Sequence, residues 1–180
     1  MRRSLEKRKQ YKNVYLSLGS NLANRKSNLT RALSLLSDVS KIRRVSPIYQ
    51  TVPIEFEQQP NFLNMACLLS TSYEPQEFLK VVKRIEKMMG RKKSFKNGPR
   101  LIDIDIIFWG NQVISDEHLQ VPHPRASQRE FVLRPISRIS PSFVHPILRK
   151  TVTSLLKALQ PQGVRYFAKA PNIQDIIEGK

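Results

Sequence analysis

The spacing of apolar residues along the first 110 positions alternates between the periods of strands and helices. Val14, Leu16 and Leu18 occupy every second position, which predicts a strand. Between positions 29 and 36 apolar residues recur at i, i+3, i+4 and i+7, which predicts an amphipathic helix. The same reasoning predicts, in order, a strand over residues 41–50 interrupted at Pro47, a strand over 62–70, a helix over 75–89 and a strand within 98–109.

The rest of the chain is patterned less strongly. Gly110-Asn111 predicts a two-residue hairpin turn from the preceding strand into residues 112–114. Prolines keep residues 121–124 extended. A short helix is predicted over residues 126–133, ending before Pro135, and a last helix over 152–159; the residues that follow are weakly patterned.

The predicted order is strand, helix and strand, twice over, with a hairpin and further helices added. This order indicates an α+β protein with a ferredoxin-like split β-α-β core, in which helices cover the faces of a mostly antiparallel sheet. We expect a single domain over residues 13–160, preceded by a flexible basic arm over residues 1–12 and followed by a C-terminal extension over residues 161–180.

Composition narrows the class of protein. The 180 residues are 40% hydrophobic and 25% charged, as in a typical globular domain. The apolar runs are shorter than a membrane span, and no apolar signal core follows the basic start, so we expect neither membrane contact nor secretion. Cys67 is the one cysteine and is most simply a core residue, and a reducing, cytoplasmic setting is the expectation.

The net charge of +17 is concentrated in two stretches. Residues 1–12 contribute +5 and residues 80–100 contribute +8. Localised positive charge indicates a polyanionic partner, either nucleic acid or a phosphorylated small molecule. For residues 1–12 composition favours a solvated, disordered arm, whereas the second stretch leads directly into a strand that carries carboxylates.

Asp103 and Asp105 interrupt an otherwise apolar, β-branched run. On a strand both carboxylates point to one face, with Ile104 and Ile106 on the other. Two carboxylates side by side on a half-buried surface repel unless a cation neutralises them, and Mg²⁺ is commonly held by one or two carboxylates with substrate phosphates. The alternative is a solvated strand face that happens to carry two aspartates, and the pattern alone does not decide between them.

The residues before this strand suit phosphoryl-type transfer. Gly90 and Gly98 bound a loop with Arg91 and Lys93, whose cations could close over phosphates and exclude water. The sequence has neither a Walker A motif nor a kinase glycine-rich loop, so a nucleotide must be held in another way. Glu86, one helical turn before Gly90, could equally be a surface partner for lysines.

Phe62 and Phe131 each lie beside polar neighbours. Such rings are more often core residues, but they would stack on a flat heterocyclic acceptor if the protein binds one. Asn64 would then contact the edge of that heterocycle, because its amide both donates and accepts hydrogen bonds.

Seven groups of motifs occur in an order and spacing that resemble one family. They are Leu18-Gly19-Ser20-Asn21-Leu22, Gln50-Thr51-Val52-Pro53, Gln59-Pro60-Asn61-Phe62-Leu63-Asn64, Arg84-Ile85-Glu86 with Gly90-Arg91, Gly98-Pro99-Arg100 with Asp103 and Asp105, Val121-Pro122-His123-Pro124-Arg125, and Arg129-Glu130-Phe131-Val132-Leu133. Over roughly residues 14–146 the chain resembles the 6-hydroxymethyl-7,8-dihydropterin pyrophosphokinases of folate biosynthesis. The resemblance implies Mg²⁺-dependent transfer of pyrophosphate from ATP to the hydroxymethyl oxygen of the pterin, with release of AMP.

The resemblance also implies roles for individual residues. Asp103 and Asp105 would bind two Mg²⁺ ions and, with Arg91 and Arg100, form the expected catalytic set. The expected ATP-binding residues are Lys83, Glu86, Arg91, Lys93, Arg100, Ile106, His123 and Arg129. The expected pterin-binding residues are Thr51, Val52, Pro53, Ile54, Phe62, Asn64 and Phe131. ATP and the pterin are the expected partners of a monomer that requires no nucleic acid.

Two other functions fit parts of the sequence. A different metal-dependent nucleotidyltransferase would also carry carboxylates on a ferredoxin-like sheet, but it would attack the α-phosphorus and release pyrophosphate. A basic nucleic-acid-binding module would need aromatic stacking residues within its basic stretches, where only Tyr11 and Phe95 occur.

Overall fold

The architecture is one main sheet with helices on both faces, in a computed structural model that describes residues 10–53, 58–91 and 98–178. The strands are β1 (Lys12–Ser20), β2 (Lys41–Val45), β3 (Ile48–Thr51), β4 (Phe62–Thr71), β5 (Asp103–Trp109), β6 (Ile114–Ser115), β7 (Gln120–Val121) and β8 (Arg165–Ala168). The helices are α1 (Arg25–Ser37), α2 (Pro75–Met88), α3 (Glu130–Ile139), α4 (Val152–Ala158) and α5 (Ile173–Glu178). Within the described ranges, none of these helices is both long and apolar enough to cross a membrane.

The main sheet is antiparallel, with the strand order β5-β1-β4-β3-β8, and β2 also pairs with β4. The predicted interruption of the second strand separates β2 from β3 at Ser46-Pro47. There the Ser46 N–H donates to the Ala66 carbonyl, and the Ala66 N–H donates to Ser46 Oγ, each at 2.9 Å. Because β2 and β3 together occupy the place of one strand, the topology is a split β-α-β fold, and the α+β, ferredoxin-like prediction is confirmed.

The sheet separates two apolar cores. The first core lies between the sheet and α1, α2 and α5, and alternate residues of β1 point into it. The second core lies on the opposite face, where Tyr15 and Phe108 pack with α3 and α4. Cys67 is fully buried in the first core, and burial raises the pKa of its thiol to about 12. The cysteine is therefore a protonated core residue, as its apolar surroundings in the sequence predict.

The turn predicted at Gly110-Asn111 forms, with the Gln112 N–H donating to the Trp109 carbonyl at 3.0 Å, but the prediction that it makes a hairpin with β5 is wrong. Gly110 has a positive φ of 49°, but its N–H donates to the Asn13 carbonyl at 2.7 Å, in line with the pairing of β5 on β1. The hairpin forms later, between β6 and β7. Asp116 Oδ1 accepts two backbone N–H groups of the connecting turn, at 2.9 and 2.7 Å, so an aspartate rather than the glycine closes the hairpin.

The helix predicted over residues 126–133 is displaced along the chain. Residues 126–128 form a 3-10 turn, and α3 then runs through Pro135. A proline inside a helix removes one backbone hydrogen bond, here to the Phe131 carbonyl. Apolar residues on both sides of the proline are buried in the second core, and this packing outweighs the missing bond. The predicted end before Pro135 is therefore wrong.

The C-terminal residues join the same sheet and core. Strand β8 pairs with β3 at the edge of the sheet, and α5 packs on α1 with Ile176 buried in the first core. The sequence pattern is weak here because β8 exposes most of its side chains and α5 buries few of its own.

Candidate active site

A cleft of about 510 Å³ opens on the face of the sheet that α3 covers. Its floor comes from β1, β4 and β5, and its walls include residues 51–53 and the residues around the start of α3. The apolar second core ends here, so polar side chains of the strands are accessible to a ligand.

Asp103 and Asp105 lie on the floor of this cleft, on one face of β5 as predicted. The register places Asp103 opposite Gly19 and Asp105 opposite Ser17 of β1. The isoleucines that alternate with them are buried in the first core. Strand alternation therefore anchors β5 on one face and presents two carboxylates on the other.

Arginines neutralise Asp103. Arg91 Nη1 lies 2.8 Å from Asp103 Oδ1, and Arg100 Nη1 lies 2.8 Å from Asp103 Oδ2. Arg91 also pairs with Glu86, whose side chain is 3% exposed and accepts the Ile104 N–H at 2.8 Å. Burial lowers the pKa of the Arg91 guanidinium, but the two carboxylates outweigh it and raise the pKa overall. Glu86 thus connects the end of α2 to β5 and fixes Arg91 beside Asp103.

Asp105 is compensated less completely. Burial raises the pKa of its carboxyl, and the charge of Asp103 raises it further, against the opposing effect of His123 and other nearby cations. The His123 N–H donates to the carbonyl of Ile107, an extra residue of β5 without a partner on β1, at 3.0 Å. Burial lowers the pKa of His123, which favours the neutral imidazole despite Asp105. A bound cation would relieve the cost of this partly buried carboxylate.

Asn64 and Phe62 form the part of the cleft beside β1. Asn64 Nδ2 donates to Thr51 Oγ1 at 2.7 Å, which fixes the orientation of the amide. A Cβ atom at Gly19 would lie only 2.9 Å from Asn64 Oδ1. A side chain at position 19 would therefore displace the Asn64 amide from its present place.

The start of α3 contributes Phe131 and Arg129. The Arg129 Cζ lies 5.5 Å from the centroid of the Phe131 ring, which is a cation–π contact. Both residues line the cleft together with Phe62. The cleft therefore offers aromatic faces and an amide in one part, and carboxylates with arginines in another.

The structure brings most of the predicted site residues together. Those that line the cleft are Thr51, Val52, Pro53, Phe62, Asn64, Arg100, Asp103, Asp105, Arg129 and Phe131. Lys83, Glu86 and Arg91 form a charged group at Asp103, with Lys83 Nζ 3.1 Å from the Glu86 carboxylate. The Ile106 side chain is buried in the first core and does not reach the cleft. Ile54 and Lys93 lie outside the described residues.

Several residues of the cleft are absent from the sequence-based predictions. They are Ser17, Gly19, Gln59, Arg125, Gln128 and Gln162. Asn21 supports them, because its Oδ1 accepts the Arg100 N–H at 2.8 Å and its Nδ2 donates to Gln59 Oε1 at 2.9 Å. Gly19 and Asn21 belong to a recognisable motif, but the motif does not reveal their cross-chain contacts. For Gln162 the sequence carries no signal.

Asp103 and Asp105 suit a metal ion that is coordinated partly by the protein and partly by a bound substrate. Among the described residues, no group of three or more His, Cys, Asp or Glu side chains could hold a metal ion. Asp103 and Asp105 supply hard oxygen ligands on one face, which suits Mg²⁺ when substrate phosphates complete the coordination shell. The incompletely compensated charge of Asp105 agrees with such a site.

The fold and the cleft define a ferredoxin-like α+β protein whose site suits a phosphate-bearing ligand and a flat ring. A sequence profile of the 7,8-dihydro-6-hydroxymethylpterin-pyrophosphokinase (HPPK) family matches residues 15–141. The chain belongs to this family.

Named relatives agree with this assignment. The chain is 42% identical over 150 residues to 2-amino-4-hydroxy-6-hydroxymethyldihydropteridine pyrophosphokinase of Aquifex aeolicus, covering 83% of this chain and 91% of that protein. It is 41% identical over 150 residues to a folic acid synthesis protein of Dictyostelium discoideum, where the match covers 83% of this chain and 23% of that protein. The chain thus spans about a quarter of the length of this longer relative.

A solved structure supports the fold alone. Wild-type HPPK-DHPS of Plasmodium falciparum superposes with a TM-score of 0.69 at 18% identity, covering 82% of this chain and 44% of that chain.

Proposed function

We propose that this chain transfers the terminal pyrophosphate of ATP to the hydroxymethyl oxygen of 6-hydroxymethyl-7,8-dihydropterin, with release of AMP, in folate biosynthesis. Family membership supports this reaction, and the Aquifex aeolicus relative is named for it. One observation carries the proposal: a single cleft combines an aspartate pair flanked by arginines with two phenylalanines and an amide. A polyphosphate and a flat heterocycle can therefore meet there.

The pterin binds between the rings of Phe62 and Phe131 in this proposal, which stack on its faces. Asn64, oriented by its hydrogen bond to Thr51, binds the edge of the heterocycle. Val52, Pro53 and Ile54 complete the pterin site.

Arg91 and Arg100 bind the polyphosphate and neutralise the charge that develops during transfer. The hydroxymethyl oxygen attacks the β-phosphorus, the bond from that phosphorus to the α,β-bridging oxygen breaks, and the hydroxyl proton is released with AMP. In the ligand-free protein Arg91 forms ion pairs with Asp103 and Glu86. When ATP binds, Arg91 therefore gives up part of these ion pairs and contacts the phosphates instead. The remaining proposed ATP contacts are Lys83, Glu86, Lys93, His123 and Arg129. The Ile106 side chain is not among them, because it is buried in the first core on the other face of the sheet.

Asp103 and Asp105 would hold two Mg²⁺ ions in this proposal, and the ions would supply positive charge at the phosphates. We further propose that the protein acts as a cytoplasmic monomer and requires no nucleic acid.

The products distinguish this proposal from its alternatives. Purified protein incubated with ATP, Mg²⁺ and the pterin should yield AMP and the pterin diphosphate in equal amounts, and EDTA should abolish both. Pyrophosphate with an AMP-linked pterin would indicate a nucleotidyltransferase instead. Tight, salt-dependent RNA binding without turnover would overturn the enzyme assignment.

A further inference from the structure

The first turn of α3 is capped by a residue from a distant part of the chain. Arg129 occupies the position before the helix, where a side chain often accepts a backbone N–H, but a guanidinium can only donate. Gln162 Oε1 accepts the Glu130 N–H instead, at 2.9 Å. A residue 32 positions away thus satisfies a donor that the helix leaves open.

Gln162 is held in place by the same segment. Its Nε2 donates to the Gln128 carbonyl at 2.8 Å, and its backbone N–H donates to Glu130 Oε2. Glu130 is 3% exposed, and its Oε1 accepts from Arg134 Nε at 2.8 Å. The contacts between Gln162 and residues 128–130 are therefore reciprocal and include a buried carboxylate.

This cap matters more than an ordinary one because α3 is weakened at the same end. Pro135 has no N–H to donate to the Phe131 carbonyl, so the start of the helix has fewer backbone hydrogen bonds than usual. Phe131, Arg129 and Gln162 all line the cleft. Any movement of the first turn therefore moves the ring and the guanidinium that face a ligand.

We propose that Gln162 is a positioning residue that fixes the first turn of α3 and thereby holds the Phe131 ring in place for the pterin. This inference rests on the proposed function, because it takes the pterin as the ligand that Phe131 contacts. The segment lies beyond residues 15–141, which the family profile matches, so it assigns a role in the site to a part of the chain outside that profile.

The test compares Gln162→Met with Gln160→Met. The first substitution preserves the size of the side chain and the backbone contact to Glu130, but removes both amide hydrogen bonds; the second alters an exposed glutamine two residues away. Hydrogen exchange of the peptide around residues 128–134, measured without ligand, reports the order of the first turn. Pterin titration, with a non-hydrolysable ATP analogue present, reports the consequence for binding.

For Gln162→Met we expect exchange at the start of α3 to accelerate about fivefold or more, and the pterin Kd and KM to rise about five- to twentyfold. The kcat should stay within about twofold of the wild type, since no group at the reacting phosphates changes. Gln160→Met should match the wild type in every measurement.

Two results would overturn the inference: unchanged exchange in Gln162→Met, or faster exchange with unchanged pterin affinity. If Gln162→Met does not fold, Gln162→Glu replaces it. This variant keeps an acceptor for the Glu130 N–H, but it loses the donor to the Gln128 carbonyl and places a second carboxylate beside Glu130, and the same two results would overturn the inference. A wild-type protein that neither binds the pterin nor releases AMP would refute the proposed function, and the exchange measurement would still decide whether Gln162 orders α3.

Discussion

Gly19 lies between Asn64 and Asp103 on neighbouring strands, so its missing side chain leaves the space that joins the two parts of the cleft. In Gly19→Ala the new methyl would lie 2.9 Å from Asn64 Oδ1 and displace the amide. We expect pterin affinity to fall about tenfold and the free energy of unfolding to fall by about 1–2 kcal/mol. Calorimetric titration and chemical denaturation measure the two effects.

Gly110→Ala is the matched control for this prediction. A Cβ at Gly110 meets no atom within 4 Å, but the φ of 49° disfavours alanine. This variant should lose stability and keep its pterin affinity. Wild-type affinity in Gly19→Ala would show that the Asn64 amide is not the point of recognition.

Asp105 is predicted to lower the stability of the ligand-free protein. Its pKa is raised by burial and by Asp103, so the native state favours the protonated form more than the unfolded state does, and its charge at pH 7 opposes folding. Asp105→Asn should therefore raise the thermal midpoint without ligands, while turnover falls at least about a hundredfold. Scanning calorimetry and AMP release provide the measurements.

Asp116→Asn is the control for Asp105→Asn, because the pKa of Asp116 is shifted in the opposite direction. The pKa of Asp116 is lowered by hydrogen bonds from Gln76 and from backbone N–H groups. Its contribution to stability is present above the ordinary carboxyl pKa and is lost as pH falls. This variant should lower the thermal midpoint and leave turnover unchanged. A lower midpoint in Asp105→Asn would contradict the proposed electrostatics.

For single residues, the sequence predicts which side chains carry the charges of the site better than it predicts which distant residues they contact. Asp103 and Asp105 could be assigned to one face because the isoleucines between them require burial on the other. The roles of Gly19 and Gln162 depend on residues that approach from other strands or from the far end of the chain. No local pattern carries that information.

Among the elements, α2 connects the core to the charged part of the site through Glu86. Glu86→Gln retains an acceptor for the Ile104 N–H but removes the charge that pairs with Arg91. We expect the free energy of unfolding to fall by about 1–3 kcal/mol and the kcat to fall about tenfold, as Arg91 loses its fixed position. Denaturation curves and steady-state kinetics test both.

Glu77→Gln, on the exposed first turn of α2, is the control for Glu86→Gln. Glu77 accepts the Glu74 N–H, and a glutamine can retain that bond. Glu77→Gln should change neither the free energy of unfolding nor the kcat. Wild-type kinetics in Glu86→Gln would indicate that Asp103 alone is sufficient to place Arg91.

Element boundaries could be predicted where local chemistry and packing agree. The break at Pro47 could be predicted because proline has no N–H to donate within a sheet, and the sheet is discontinuous at that residue. Pro135 misleads because the apolar face of α3 continues past it, and burial of that face outweighs one missing hydrogen bond. The hairpin predicted at Gly110 also fails, because a turn residue does not determine which strand the residues after it pair with.

For the whole molecule, the net charge of +17 predicts a difference between the two substrates. ATP is an anion and should be attracted over long distances, whereas the neutral pterin should not. Raising the salt concentration from about 0.05 to about 0.3 M should lower kcat/KM for ATP about three- to tenfold. The kcat/KM for the pterin, measured at saturating ATP, should change much less. Equal salt dependence for both substrates would show that the charge does not steer ATP.

Ile107, the residue of β5 that has no partner on β1, indicates what a one-residue deletion in this strand would change. Ile107 and Phe108 both face the second core, and Trp109 returns to the first, so the strand would alternate without interruption if Ile107 were absent. A one-residue deletion there would leave the remaining side chains on their present faces. It would remove the carbonyl that holds His123 beside Asp105. The extra residue therefore serves the fold through its side chain, which is buried in the second core, and the site through its carbonyl, which accepts the backbone N–H of His123.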